Sequence, residues 1–71
     1  MTKCNIDFYT EICEGSIGTK EEVMMLLKGE QYDYEGIHRV RNTAEHKWIY
    51  VKVYSLQDYF FGTSFVCYPA E

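Results

Sequence analysis

The stretch WIYVKVY, residues 48–54, alternates strictly between two kinds of side chain. Aliphatic residues point to one face of an extended chain, while aromatic rings and a lysine point to the other: Ile49, Val51 and Val53 against Trp48, Tyr50, Tyr54 and Lys52. A period of two indicates a β-strand with one buried face. We therefore expect the aliphatic face to enter the core, and the aromatic face to stay half-exposed or to enter an interface.

Two further segments on either side of this strand are predicted to be extended. Residues 37–41 (IHRVR) precede it, and the polar connection 42–47 between them predicts a β-hairpin. Residues 59–68 are rich in aromatic side chains and follow a predicted turn at 55–58. Gly62 within this last segment indicates a bulge, because a strand-interior glycine weakens regular pairing. The second half of the chain is therefore predicted to be β-structure.

A single helix is predicted before these strands. The sequence TKEE, residues 19–22, is a capping box, in which the threonine hydroxyl and the glutamate carboxylate each accept a backbone N–H of the other residue. Val23, Leu26 and Leu27 follow at helical spacing, and Gly29 is a suitable end. A helix of about ten residues does not persist alone, so we expect it to pack on a sheet.

The N-terminal segment 4–12 also alternates, which predicts a first strand with one buried face. The two faces separate apolar from polar side chains: Cys4, Ile6, Phe8, Thr10 and Ile12 against Asn5, Asp7, Tyr9 and Glu11. Residues 14–18 then predict a turn. With 71 residues, the chain is expected to form one domain, residues 1–71. The predicted fold is α+β, in the order β-α-β-β-β, with an antiparallel-rich sheet and the helix on one face.

The residue types that carry catalysis or bind metals do not form a recognisable pattern. The three cysteines and two histidines are far apart in sequence: Cys4, Cys13, Cys67, His38 and His46. Structural zinc sites need ligand pairs two to four residues apart, and a cysteine nucleophile needs a base and a substrate cleft. We therefore expect no catalytic residue, no metal and no cofactor, and we interpret the cysteines as small hydrophobic residues of a reducing compartment.

No segment of the sequence has the apolar length of a membrane span. The longest apolar runs fall far short of about 18 residues, and the N-terminus MTKCNIDFY has no signal-peptide core. These features predict a soluble, cytoplasmic protein with no membrane partner.

Charge is divided unequally along the chain. Residues 7–35 carry a net charge of −6, whereas residues 36–53 carry +3. On the predicted strand 4–12, Asp7 and Glu11 share the exposed face about 13 Å apart, with Tyr9 between them. The candidate partner-binding residues are the acids of the first half and the tyrosines among them: Asp7, Tyr9, Glu11, Glu14, Glu21, Glu22, Glu30, Tyr32, Asp33, Tyr34 and Glu35.

This combination of small size, acidity, aromatic richness and a compact α+β plan resembles a class of phage-encoded inhibitors that mimic DNA. Members of that class block host enzymes or nucleoid proteins, including uracil-DNA glycosylase, the histone-like protein HU, restriction enzymes and CRISPR effectors. The resemblance implies a binding protein, not an enzyme, which occupies the nucleic-acid site of a host protein in the host cytoplasm. It rests on no shared motif.

Two alternatives stay open. The surplus of aromatic rings in residues 48–68 also suits a homo-oligomeric structural or regulatory module, and a homodimer is compatible with the inhibitor hypothesis. The basic, aromatic strand 48–54 also suits binding of single-stranded nucleic acid. The overall acidity and the absence of a Lys/Arg-Gly-aromatic run make direct nucleic-acid binding the less favoured of these hypotheses.

Overall fold

A computed structural model describes residues 1–42 and 47–70. It contains five strands and one helix: β1 (Thr2–Asp7), β2 (Ile12–Ile17), α1 (Lys20–Gly29), β3 (Asp33–Asn42), β4 (Trp48–Asp58) and β5 (Gly62–Pro69). The central part of the predicted connection 42–47, with His46, lies outside the described residues.

The strands close into a barrel in the order β1-β2-β5-β4-β3, and β3 returns to pair with β1. All neighbouring pairs are antiparallel except β2 and β5, which are parallel and share two register pairs, Ser16 with Val66 and Ile17 with Cys67. Of the described residues, 62% lie in strands and 15% in the helix. The predicted α+β class and the predicted order β-α-β-β-β are therefore wrong, because the protein is a mostly-β closed barrel with the order β-β-α-β-β-β.

The error originates at residues 8–11, where the predicted strand 4–12 turns back on itself. Tyr9 adopts a left-handed φ of 72°, and the backbone N–H of Phe8 donates to the carbonyl of Glu11 at 3.0 Å. The turn separates β1 from β2, so Asp7 pairs with Ile12 across a hairpin. Ile12, which the alternation placed in the core, is 54% exposed as a result. The predicted turn at 14–18 lies mostly within β2.

The main core fills the barrel interior. Its fully buried members come from four strands: Cys4, Ile6, Val40, Val51, Val53 and Cys67. Gly15 permits this packing, since a Cβ atom there would overlap Cδ1 of Ile6. Val51 and Val53 are buried as predicted for the inward face of β4, whereas Ile49, predicted to lie with them in the core, is 36% exposed. Phe8, Ile17 and Phe65 complete the core as partly buried side chains.

The helix packs on the outside of the barrel and forms a second core. Val23 is fully buried with Val66 and Tyr68 of β5, and Leu27 packs against them. The predicted capping box is confirmed, with the Thr19 hydroxyl accepting from the Glu22 backbone at 3.2 Å and the Glu22 carboxylate accepting from the Thr19 backbone at 3.4 Å. The helix therefore begins where the sequence predicts, but it covers a barrel wall and not an open sheet.

The predicted hairpin 37–54 is confirmed as an antiparallel β3–β4 pair, although both strands are longer than predicted. β3 begins at Asp33, so part of the acidic connection is strand. β4 continues to Asp58 through the predicted turn 55–58, and the actual turn occupies 59–61 before Gly62. Asp33, the first residue of β3, pairs with Ser55. Residues 56–58 of β4 and their partners 62–64 of β5 therefore extend beyond the start of β3 as a two-stranded hairpin.

Candidate functional site

Three segments meet at one end of the barrel. β1 runs into the turn 8–11 at this end, and β3, antiparallel to β1, begins there. β4 is antiparallel to β3 and therefore ends there, in the turn 59–61. We call residues 8–14, 30–35 and 56–64 the acidic end, because they include six carboxylates and no lysine or arginine: Glu11, Glu14, Glu30, Asp33, Glu35 and Asp58.

The turn between β4 and β5 exposes three consecutive aromatic rings. Tyr59 is 96% exposed, Phe60 84% and Phe61 86%. The carboxylate of Asp58 fixes the turn by accepting the backbone N–H groups of Phe60 at 2.7 Å and Phe61 at 3.1 Å. Gly62 ends the turn with a φ of +81°, a conformation that suits glycine. These rings, which we call the aromatic tip (Tyr59–Phe61), are thus held in solvent by a defined backbone.

The turn 8–11 also lies at the acidic end, but its Phe8 ring points into the barrel. The Phe8 ring centroid is 4.5 Å from that of His38 and 5.0 Å from that of Phe65. Nε2 of His38 donates to the carbonyl of Glu35 at 2.6 Å, which links this contact to β3. The next residue, Tyr9, is 67% exposed, with its ring 5.7 Å from His38. Tyr9 therefore adds a ring to the surface, whereas Phe8 closes the barrel mouth.

Asp7 is not available to a partner. Its carboxylate is buried and forms a salt bridge with Arg39 directly across the β1–β3 pair. The hydrogen bond from Arg39, supported by the backbone N–H of Tyr9 at 2.7 Å, lowers the pKa of Asp7 below its usual range. The predicted arrangement of Asp7 and Glu11 on one exposed strand face is therefore wrong, since the turn separates them.

The helix start lies at the opposite end of the barrel from the aromatic tip. Glu21 and Glu22 follow the end of β2, whereas the acidic end surrounds the beginning of that strand. The Glu22 carboxylate caps the helix and lies 3.8 Å from the N-terminal amine. The structure therefore separates these two acids from the other predicted site residues.

The remaining predicted residues belong to the acidic end in different ways. Glu35 accepts a hydrogen bond from the Ser55 hydroxyl at 2.6 Å. Tyr34 is 55% exposed with its ring 5.1 Å from Tyr54, and Tyr32 is half-buried against the helix. Four carboxylates are exposed and have no hydrogen bond or salt bridge to any described residue: Glu11, Glu14, Glu30 and Asp33.

The aromatic tip and Asp58 are absent from the residues predicted from sequence. The sequence pattern predicts a strand for residues 59–68, because aromatic residues favour strands, and it places Asp58 in the turn before that strand. The signal that identifies the turn is the spacing of Asp58 and Gly62 around YFF. Aspartate accepts backbone N–H groups at the start of turns, and glycine tolerates positive φ at their end.

Cys4 and Cys67 lie where the core needs small side chains, and residues 1–42 and 47–70 include no cluster of three or more potential metal ligands. The Cys67 thiol donates to the carbonyl of Ser16 at 3.5 Å. The hydrogen bond with Cys4 and burial raise the pKa of Cys67, which keeps this thiol protonated. A depression of about 540 Å³ lies near the helix start, lined by Thr19, Lys20, Glu21, Lys52, Tyr68 and Pro69.

Comparison of the chain with protein-family models, with curated protein sequences and with solved structures finds no match. Within the described part of the chain, no helix combines the length and the apolar character needed to cross a membrane.

Proposed function

We propose that this protein is a small acidic binding protein that occupies the nucleic-acid-binding surface of another protein, as a phage-type inhibitor of a host protein does. The acidic end is the contact surface, and no residue has a catalytic role. The observation that carries the proposal is the aromatic tip, three rings held in solvent within a surface that has carboxylates and no basic residue.

The aromatic tip supports a protein partner. Exposed apolar surface is costly for a monomer unless it serves an interaction, and aromatic side chains dominate the binding energy of protein interfaces. Asp58 and Gly62 already fix the turn, so binding orders little additional backbone. Such preorganisation reduces the entropic cost of association. The tip is therefore suited to enter an apolar pocket or cleft of a partner.

The charge of the acidic end supports a basic partner. Glu11, Glu14 and Asp33 are exposed and form no salt bridge with any residue that the structure describes, which supports a role for their charges in contacting a partner's lysines and arginines. Proteins that bind DNA present such residues to a polyanion with flat apolar bases. Point anions beside flat rings reproduce both features, and complementary charge accelerates the encounter. The homodimer remains a separate prediction.

The test is retention of bacterial lysate proteins on the immobilised chain at low salt, followed by elution with duplex DNA. We expect a nucleic-acid-binding protein to be retained and to be released by the duplex. The variant Tyr59→Ser/Phe60→Ser/Phe61→Ser should weaken retention more than tenfold, because interface hot spots contribute about 2 kcal/mol or more each. Glu11→Gln/Glu14→Gln should weaken it mainly at low salt.

Matched controls come from residues outside the acidic end. Met25 is 69% exposed on the helix, and Glu21 lies at the opposite end of the barrel. Met25→Ser and Glu21→Gln should leave retention unchanged. The proposal fails if no nucleic-acid-binding protein is retained at low salt, or if the control variants lose as much as the variants of the acidic end.

A further inference from the structure

The outer face of β1, β3 and β4 gathers positive charge that is scattered in the sequence. Five of the seven lysines and arginines lie on it or at its edge, with Asp7 as the acid among them: Lys3, Arg39, Arg41, Lys47 and Lys52. β1 contributes Lys3 because the alternation that buries Cys4 and Ile6 turns the residues between and beside them outward. We call this surface the basic face.

Aromatic side chains lie between these cations. Trp48 is 42% exposed and Tyr50 is 59% exposed, and both project outward because Val51 and Val53 project inward. Tyr50 is directly opposite Arg39 in the β3–β4 pair. The Arg39 guanidinium lies 5.2 Å from the Trp48 ring centroid and is held from the other side by Asp7. The salt bridge with Asp7 therefore positions the Arg39 guanidinium beside the Trp48 ring.

A polyanion with flat rings is the ligand that this chemistry fits. Sheets that bind single strands combine basic side chains for the phosphates with exposed aromatic rings for the bases. A duplex hides its base faces, so it could use the charges of this surface but not the rings. Among residues 1–42 and 47–70, the exposed acids without hydrogen bonds or salt bridges belong to the acidic end or to the helix start, where Glu21 lines a depression together with Lys20 and Lys52.

We propose that the basic face binds single-stranded nucleic acid, with bases stacked on Tyr50 and Trp48 and with Lys3, Lys47 and Lys52 near the phosphates. The proposal does not depend on the proposed function, and the site borders the acidic end at Lys3, which lines a depression with Glu14, Thr63 and Ser64. Stacking is tolerant of base identity, so the site favours single strands over duplexes without strong sequence preference.

The test is fluorescence anisotropy of labelled oligothymidylate and oligouridylate of about 15 nucleotides, long enough to cover one small barrel, at about 50 mM salt. We expect binding of one or both single strands and weaker binding of a duplex. Three phosphate contacts predict a slope of about −2 for log affinity against log salt. Trp48 is the only tryptophan, so its fluorescence should change on binding.

Variants locate the site. Tyr50→Ala should weaken binding about 5- to 100-fold, the effect of losing one stacking platform. Lys52→Gln should reduce the salt slope by about 0.7. Trp48→Phe should retain most binding, since a ring remains. Tyr59→Ala, at the aromatic tip, is the matched control and should leave the affinity unchanged.

Three results would overturn the inference. One is the absence of any anisotropy change at low salt with either oligonucleotide. The second is binding that Tyr50→Ala and Lys52→Gln leave intact or that Tyr59→Ala reduces equally. The third is sedimentation that shows self-association dependent on Tyr50 without oligonucleotide binding, because a second copy would then be the occupant of this face.

Discussion

The two turns at the acidic end are built alike and serve different purposes. Each begins with an aspartate whose carboxylate accepts the backbone N–H two residues later at 2.7 Å, Asp7 from Tyr9 and Asp58 from Phe60. In the first turn, Asp7 is buried against Arg39 and the Phe8 ring is packed between His38 and Phe65. In the second turn, the aspartate and all three rings are exposed.

The difference shows how a small barrel divides its aromatic residues between stability and binding. A core formed by 71 residues encloses few large side chains. The Phe8 ring closes the barrel mouth, and the rings of the aromatic tip remain outside the core. The rings of the aromatic tip contribute little to folding, because Tyr59 and Phe60 contact each other and otherwise face solvent. They are therefore free to contact a partner.

The largest predicted effect is the contrast between Phe8→Ala and Phe60→Ala. Phe8→Ala should lower the free energy of unfolding by about 2–3 kcal/mol, somewhat less than the loss of a fully buried ring. Phe60→Ala should change it by less than about 0.5 kcal/mol, as exposed substitutions do. Urea unfolding followed by tryptophan fluorescence measures both. Equal effects would mean that the two turns do not differ as described.

Removal of the Asp7 charge should have a smaller effect, which depends on pH. Asp7→Asn keeps an oxygen to accept the Tyr9 N–H but loses the ion pair with Arg39. Because the folded pKa of Asp7 is lowered, its contribution to stability is complete above the unfolded pKa of about 3.9 and disappears as the pH falls through the folded value.

The stability difference between the wild type and Asp7→Asn should therefore be constant above about pH 5 and should shrink below about pH 4. Urea midpoints at a series of pH values measure it. A difference that persists unchanged to about pH 2 would contradict the ionic role of Asp7.

Gly62→Ala should destabilise the second turn by about 1–2 kcal/mol, because a side chain at φ +81° is strained although nothing lies within 4 Å of its Cβ. Gly29→Ala is the matched control, since its Cβ also meets no atom and its φ lies outside the left-handed region. It should leave stability unchanged or raise it by up to about 1 kcal/mol. Thermal unfolding of both variants checks the comparison. An equal loss at Gly29 would show that backbone conformation is not the cause.

The smallest effect concerns affinity alone. Tyr9→Ser should weaken partner retention by a few-fold, less than the loss of the aromatic tip, because one ring of the surface is removed while Phe8 still closes the barrel mouth. Retention from lysate measures the loss of affinity, and the urea midpoint measures whether the variant keeps its stability. An unfolded Tyr9→Ser protein would show that this residue belongs to the structural turn.

The elements that could be predicted from the sequence depend on neighbouring residues. The helix start needs only Thr19 and Glu22, three residues apart, and the inward face of β4 needs only the alternation around Val51 and Val53. The β3–β4 hairpin follows for the same reason, since its strands are adjacent in the chain.

What could not be predicted depends on distant contacts. The turn at 8–11 has no glycine or proline, and Phe8, Thr10 and Ile12 continue the alternation of a strand. Closure of the barrel depends on β2 and β5, whose paired residues Ser16 and Val66 are far apart in the chain. The candidate site could not be fully predicted for the same reason, because the salt bridge between Asp7 and Arg39 joins residues 32 positions apart. Local charge patterns identified acidic residues but could not show which of them were already paired.

Site-specific photo-crosslinking tests the central claim most directly. A photoreactive phenylalanine analogue replaces Phe60 in one variant and Met25 in the other, two exposed positions that lie in the β4–β5 turn and in the helix, respectively. We predict that position 60 captures a nucleic-acid-binding protein from bacterial lysate, that excess duplex DNA prevents this capture, and that position 25 captures none. Capture of that protein from position 25 but not from position 60, or capture at position 60 that duplex DNA does not reduce, would contradict the account.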